Sequence, residues 1–443
     1  MALRSNRIFS ALQASAGSFF EAYDLIVFGS FAGVIGGAFF PSTNRYTSLM
    51  FGFMTFAAAY VMRVAGALVL GPYLDRAGRR KGLMLSLALI ALGTAVIAFS
   101  PTYRSIGVIA PILMLTGRLI QGFSIGGETG GVTAYLVEVA APSKSALYVS
   151  WNSICFHLAA LSAISLDYGL HRVLNTDELA SWGWRVPFIV GCGVVPLIFL
   201  MRRKLVESEK FTLQRHHLRA GEILAALLTN WQFFLAGMFM VVLGSGIFYF
   251  VLTYMPIYSS DNLRLSTAEA LRSAIYVSIY CVVMIPIFAK VSDKVGRYPM
   301  LLVSSILVAI TAYPVLRVLT ISPSYGRLVF VQFWYATLYT AYVSSAFVAL
   351  SELIPAELRA TGYGLSTTLG LALFGGFTPA ISEWLVHRTG DNAIPSLWLV
   401  GLAVCSTTAI CLLFRGNIVI RLANSGKECL AATVRRQSSR SNG

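Results

Sequence analysis

Charge is what this chain has least of. Of its 443 residues only 12% are Asp, Glu, Lys or Arg, while 56% are hydrophobic, a balance that no soluble domain of this length could carry on its surface. Acids are the scarcest, 19 against 34 bases, which leaves a net charge of +15. In a soluble protein that excess would point to nucleic acid. Here most of the Lys and Arg gather in the amino-terminal segment, in short loops between apolar runs and in the carboxyl-terminal tail, so they report membrane topology instead. Cysteine is sparse and unpatterned: Cys155, Cys192, Cys281, Cys405 and Cys411 lie inside apolar runs and Cys429 near the end, so neither a disulfide framework nor a metal site is expected. Of five histidines two are adjacent, His216 and His217, a spacing that suits a solvated face rather than metal ligation. No nucleophile and base pair or metal-ligand spacing occurs in any apolar run, so enzymatic chemistry and a bound cofactor are not expected. The chain reads as an all-α integral membrane protein.

What is present is organised around Gly71 to Lys81. Four cations in six residues, Arg76, Arg79, Arg80 and Lys81, mark a short turn at the cytoplasmic face. Gly71 lets two helix ends approach, Asp75 can pair with arginines or cap a helix start, and Gly78 permits the reversal. An arbitrary basic loop would explain the charges but not this register. The pattern G-x-x-x-D-R-x-G-R-R-K resembles the signature between helices 2 and 3 of the major facilitator superfamily, and it matches at every specified position.

The apolar runs divide into twelve expected helices. The first six lie at about 17 to 39, 48 to 72, 83 to 100, 107 to 138, 145 to 169 and 184 to 201, and the second six at about 229 to 257, 268 to 290, 300 to 320, 326 to 353, 360 to 386 and 394 to 415. Residues 202 to 226 are polar and basic, a cytoplasmic linker between a bundle over 1 to 201 and one over 227 to 415; residues 416 to 443 form a basic cytoplasmic tail. The second half repeats the first: Asp293, Gly296 and Arg297 are a reduced copy of the signature, and Glu352 with Pro355 corresponds to Glu138 with Pro142. Two such halves around a central cavity, both termini in the cytoplasm, are the plan of this transporter fold.

Ionisable residues inside the spans carry the functional argument, because each costs about 2.5 to 3.5 kcal/mol on insertion scales. The first half holds Glu21, Asp24, Arg63, Arg118, Glu128 and His157; the second holds almost none away from helix ends. In the fourth helix Arg118, Gln121, Ile125 and Glu128 share one arc. Gly122, Gly126 and Gly130 form a second stripe suited to close helix packing. The helix is therefore expected to pack on one side and to face a cavity with the other.

Several stretches narrow the resemblance. Phe20-Glu21-Ala22-Tyr23-Asp24, Arg63 with Gly66, and Gly117-Arg118-Leu119-Ile120-Gln121-Gly122 are similar to the metabolite:proton symporter branch. Ser181-Trp182-Gly183-Trp184-Arg185 and Phe374-Gly375-Gly376-Phe377-Thr378-Pro379 are similar to bacterial citrate and tricarballylate symporters. Val64, the Leu243 to Gly246 run, Ser344-Ser345 and His157 depart from that pattern, and these positions fall on helices expected to meet substrate.

The resemblance implies a monomeric carrier in the bacterial inner membrane that imports a tricarboxylate with protons, sodium being an alternative coupling ion. Other solutes of the branch remain open, namely a dicarboxylate, an aromatic acid or an osmolyte, as does a transport-dead sensor on the same scaffold. Arg118 and Arg63 are the expected carboxylate ligands, each guanidinium offering a planar fork; the alternative for Arg118 is the structural partner of Asp24 or Glu128. Gln121, His157, Tyr249 and Tyr254, with Gln332 and Tyr339, are candidates to complete the site. Moving a trianion into a cell held 100 mV negative costs about 7 kcal/mol, so import needs cations. Asp24, Glu21 and Glu128 are the candidate proton carriers, since burial and a nearby guanidinium pull a carboxylate's proton affinity in opposite directions.

Overall fold

The computed structural model describes residues 2–77, 79–126, 132–133, 136, 145–203, 231–354 and 359–414, with side chains excepted at 2–14, 71–81, 83, 201–203, 233 and 359–361. Among the described residues the regular structure is helical throughout. In the first half, α1 is Ala2–Ser30, α2 Ala32–Phe39, α3 Arg45–Ala77, α4 Arg79–Phe99, α5 Ile109–Gly126, α6 Ser145–Val173 and α7 Val186–Arg203. In the second half, α8 is Trp231–Tyr249, α9 Met255–Asp261, α10 Thr267–Val295, α11 Arg297–Ile321, α12 Tyr325–Leu353, α13 Arg359–Gly370, α14 Thr378–Thr389 and α15 Pro395–Phe414. Among the described residues, every segment expected to cross the membrane is mainly helical. Nine described helices are long and apolar enough to do so, and the bent pair α1 and α2 makes a tenth. Met84–Phe99 is a shorter apolar helix. The 29 residues of α12 reach about 43 Å, but its inward face is rich in Tyr, Ser and Thr.

Three interruptions have local causes. The first span bends by 64° at Phe31, where glycines let α2 lie on α3: a Cβ on Gly36 would sit 2.2 Å from the Ser48 carbonyl oxygen. Between α8 and α9, Phe250–Tyr254 widens into a π-helix, and Leu371–Gly375 does the same before α14. Each precedes a proline, Pro256 or Pro379, whose missing N–H breaks the i to i−4 ladder and favours a wider turn.

Within the first half α3 packs closely on α5 and α4 on α5; between the halves α6 lies along α10, and α3 along α13 and α14. The α3 to α5 contact is built on backbone. A Cβ on Gly122 would fall 1.9 Å from the Ala59 carbonyl oxygen and one on Gly126 1.9 Å from that of Arg63, so the glycine stripe packs as expected; its third member, Gly130, lies outside the described residues. So do the expected linker, apart from residues 202–203, the tail, and the side chains of the Gly71 to Lys81 motif.

Candidate functional site

A cavity of about 70 Å³ lies between the halves. Each bordering helix presents one stripe at intervals of about four residues, the spacing that keeps side chains on one helical face. From α12 come Tyr339, Val343 and Phe347, from α13 Tyr363 and Thr367 with Leu371 beyond it. Ser245 and Tyr249 enter from α8, Asn152 and Ser153 from α6. The wall is largely apolar, with aromatic rings from four helices, and its charged groups, Glu21 of α1 and Arg63 of α3, sit together.

Arg63 Nη1 lies 3.0 Å from Glu21 Oε1, with both side chains nearly buried at 3% and 6% exposure. Its guanidinium also rests 4.4 Å from the centroid of Tyr60, a cation–π contact that holds the plane of the fork. Arg63 Nε and Nη2 are buried with no hydrogen-bond partner among the described residues, and the same is true of Asn152 Oδ1. Unmatched polar groups of this kind are costly in a dry interior. A carboxylate entering the cavity would satisfy the two Arg63 donors.

Arg118 is placed differently. It is completely buried and belongs to a closed ring of four side chains from α1, α4 and α5. Its Nη1 contacts Asp24 Oδ2 at 3.4 Å and donates to Gln121 Oε1 at 2.9 Å; Gln121 Nε2 donates to Thr94 Oγ1 at 3.0 Å, and Thr94 donates to Asp24 Oδ1 at 2.9 Å. The guanidinium is backed by Phe28, 4.3 Å from its centroid. The expectation that this stripe of α5 faces a cavity is therefore corrected. Arg118 and Gln121 face α1 and α4, and Ile125 packs with Phe20 and Leu87. The reason is steric: with Gly122 and Gly126 pressed onto α3, the opposite flank of α5 turns into its own bundle. Glu128 lies outside the described residues.

Of the other expected residues, Tyr249 and Tyr339 line the cavity. His157 stands behind the wall, 5.3 Å from both the Phe248 and Tyr339 centroids, with Nδ1 2.9 Å from the Ser153 carbonyl oxygen. That oxygen only accepts, so Nδ1 carries a proton. Tyr254 is directed away from the cavity and donates to Glu383 Oε2 at 3.2 Å. Gln332 is buried with neither side-chain polar atom bonded among the described residues.

Sequence reading missed Thr94, the polar cavity residues Asn152, Ser153 and Thr367, and two buried acids. Glu383 accepts from Tyr254 and from Asn262 at 3.4 Å, and Asp167 lies 2.8 Å from His171 Nδ1. Both acids sit close to helix ends and so looked solvated. The fourfold spacing of Tyr363, Thr367 and Leu371 is the signal that could have disclosed their stripe.

The halves touch at both faces. At one, the turn after α10 is made at Gly296, whose φ of 101° favours glycine. Asp293 accepts from the backbone N–H of Ala146 at 3.3 Å, in the first turn of α6, where the helix dipole favours an anion. Arg297 reaches Asp293 at 2.8 Å, Glu352 at 3.1 Å and Ser145 Oγ at 3.0 Å. Asp293, Gly296 and Arg297 thus form a junction between the halves. At the other face Arg45 pairs with Asp261, and Tyr46 stacks on His387 with centroids 3.8 Å apart.

The sequence profile of the Major Facilitator Superfamily matches residues 46–379. The chain is 41% identical to the citrate-proton symporter of Klebsiella pneumoniae, over 93% of each chain. It is 40% identical to the citrate-proton symporter of Salmonella typhi, over 93% of this chain and 95% of that one. In three dimensions it resembles the xylose transporter of E. coli in a partially occluded, inward open conformation, with a TM-score of 0.75 over 93% of this chain and 98% of that one; at 18% identity this likeness concerns the fold alone. Two helical halves around a buried ion pair, a repeated turn motif and these matches lead to one conclusion: the chain belongs to the major facilitator superfamily of multi-pass membrane transporters.

Proposed function

We propose that this protein imports citrate or a closely related tricarboxylate with protons, by alternating access to the cavity between its halves. The observation that carries the reading is Arg63, a guanidinium on the cavity wall with two nitrogens lacking hydrogen-bond partners among the described residues. A planar fork of that kind matches a carboxylate, and the 41% identity to a citrate-proton symporter supports the choice of cargo. Arg63 and Tyr249 are assigned to the substrate. Arg118, Gln121, His157 and Tyr254 frame the site. Glu21, Asp24 and Glu128 are the candidate proton carriers, and the Gly71 to Lys81 motif with its copy at Asp293 to Arg297 forms the gating junctions.

We place the protein in the bacterial inner membrane as a monomer, with bundles over 1 to 201 and 227 to 415 and both termini cytoplasmic; the distribution of Lys and Arg supports that orientation. Purified protein in liposomes with an acidic exterior is expected to accumulate radiolabelled citrate; uptake no greater than in protein-free vesicles would overturn the proposal. A dicarboxylate is the second reading, favoured by Arg63 being the only guanidinium among the described lining residues. Stronger competition by succinate than by tricarballylate would select it.

A further inference from the structure

The ion pairs Arg63–Glu21 and Arg118–Asp24 differ in what surrounds them, and that difference separates their roles. Asp24 is closed in: one oxygen accepts from Thr94, the other faces Arg118, and Arg118 is fully buried. An anion could reach Arg118 only by dismantling the ring of hydrogen bonds. Glu21 instead lines the cavity beside Arg63, and it is the only acid among the described lining residues. The other titratable groups on that wall are the phenols of Tyr249, Tyr339 and Tyr363. Tyr60 lies over the far side of Arg63, and His157 is screened by Phe248 and Tyr339.

Resting on the anion reading above, we infer that Glu21 is the residue through which protons are coupled to cargo. The carboxylate of the incoming anion takes Arg63 from Glu21, and Glu21, parted from that guanidinium in a buried site, takes up a proton from the aqueous phase. The exchange balances: Arg63 keeps its charge, one carboxylate partner replaces another, and the displaced carboxylate becomes a neutral acid. The reverse sequence releases anion and proton together. A neutral Glu21 also retains one O–H, which can donate to the bound anion. Asp24, held by Thr94 and Arg118, is a positioning residue for α1.

The test is proton uptake on binding. Purified protein in weak buffer with a pH-indicator dye is titrated separately with citrate, tricarballylate and succinate. Wild type is expected to take up about one proton per anion bound beyond what the ligand itself exchanges. Glu21→Gln is expected to bind at least one of the three without that uptake and to lose the pH dependence of its affinity. Asp24→Asn and Thr94→Val are expected to keep the uptake. Undiminished uptake in Glu21→Gln, or its loss in Asp24→Asn with Glu21→Gln unaffected, overturns the assignment. Should Glu21→Gln not fold, Glu21→Asp replaces it: the carboxylate is retained at a changed distance from Arg63, the affinity profile is expected to move along the pH axis, and an unmoved profile overturns the assignment. Failure of all three probes to bind wild type removes the anion reading, and this inference with it.

Discussion

Arg45 and Asp261, 216 residues apart, meet in a fork in which Arg45 Nη2 lies 2.8 and 2.9 Å from the two carboxylate oxygens. The pair joins the start of α3 to the end of α9, and so ties one half of the protein to the other. Its arginine side chain is 81% exposed, so it is a weak latch of about 0 to 1 kcal/mol, weakened further by salt. A double-mutant cycle on citrate uptake with Arg45→Gln and Asp261→Asn is expected to give a coupling below about fivefold in rate. A coupling above a hundredfold would mean that this face is held by the pair alone.

The opposite face should be less forgiving. Arg297 is 15% exposed and holds both Asp293 and Glu352, so removing it leaves two carboxylates facing each other beside Ser145. Arg297→Gln is expected to lower stability in detergent by about 1 to 2 kcal/mol, a figure discounted because Glu352 is partly solvated. Adding Glu352→Gln should recover part of the loss. Thermal unfolding of the two variants checks this, and a double variant less stable than Arg297→Gln would contradict it.

Close backbone contact between α3 and α5 gives a sharper expectation. Because the Cβ of Gly122→Ala would meet the Ala59 carbonyl oxygen at 1.9 Å, the helices must part, at a cost of about 1 to 3 kcal/mol. Gly169→Ala meets nothing within 4 Å and should leave the unfolding temperature unchanged. Equal effects at the two positions would show that helix propensity, rather than packing, governs both.

The fold was legible because membrane physics restricts the choices: long apolar runs must be helices, and the Asp293 to Arg297 copy of the first motif gives away the repeat. Helix ends were read less well. The first helix starts at Ala2, well before the first expected residue, since basic residues at a membrane boundary extend a helix as readily as they end it. Within the site, Arg63 and Glu21 stood out because charge is rare in a span. What could not be read was which side of α5 turns toward the cavity. The polar arc at Arg118 and the glycine arc at Gly122 were both visible, but periodicity says only that two faces differ, and it does not say which neighbour each one meets. Tyr254 and Glu383 escaped for a related reason: a tyrosine serves equally as packing and as a donor, and only its partner across the bundle decides.

The two arginines that looked alike in sequence should now separate in experiment. Arg63→Lys keeps the charge beside Glu21 and Tyr60 but loses the planar fork, so the apparent KM for citrate is expected to rise about tenfold, with thermal stability nearly unchanged. Arg118→Lys faces a different demand, because one ammonium must replace contacts to Asp24 and Gln121 and approach the Phe56 carbonyl oxygen, 3.5 Å from Nη2. A misplaced cation in so dry a setting leaves Asp24 poorly compensated, and the variant should lose about 2 to 4 kcal/mol of stability. Asp24→Asn introduced into Arg118→Lys should then recover part of the stability and leave citrate affinity unchanged, because neither residue lies on the cavity wall. If instead Arg118→Lys unfolds like wild type while its citrate affinity collapses, the ring must open during transport, and Arg118 rather than Arg63 would be the group that meets the anion.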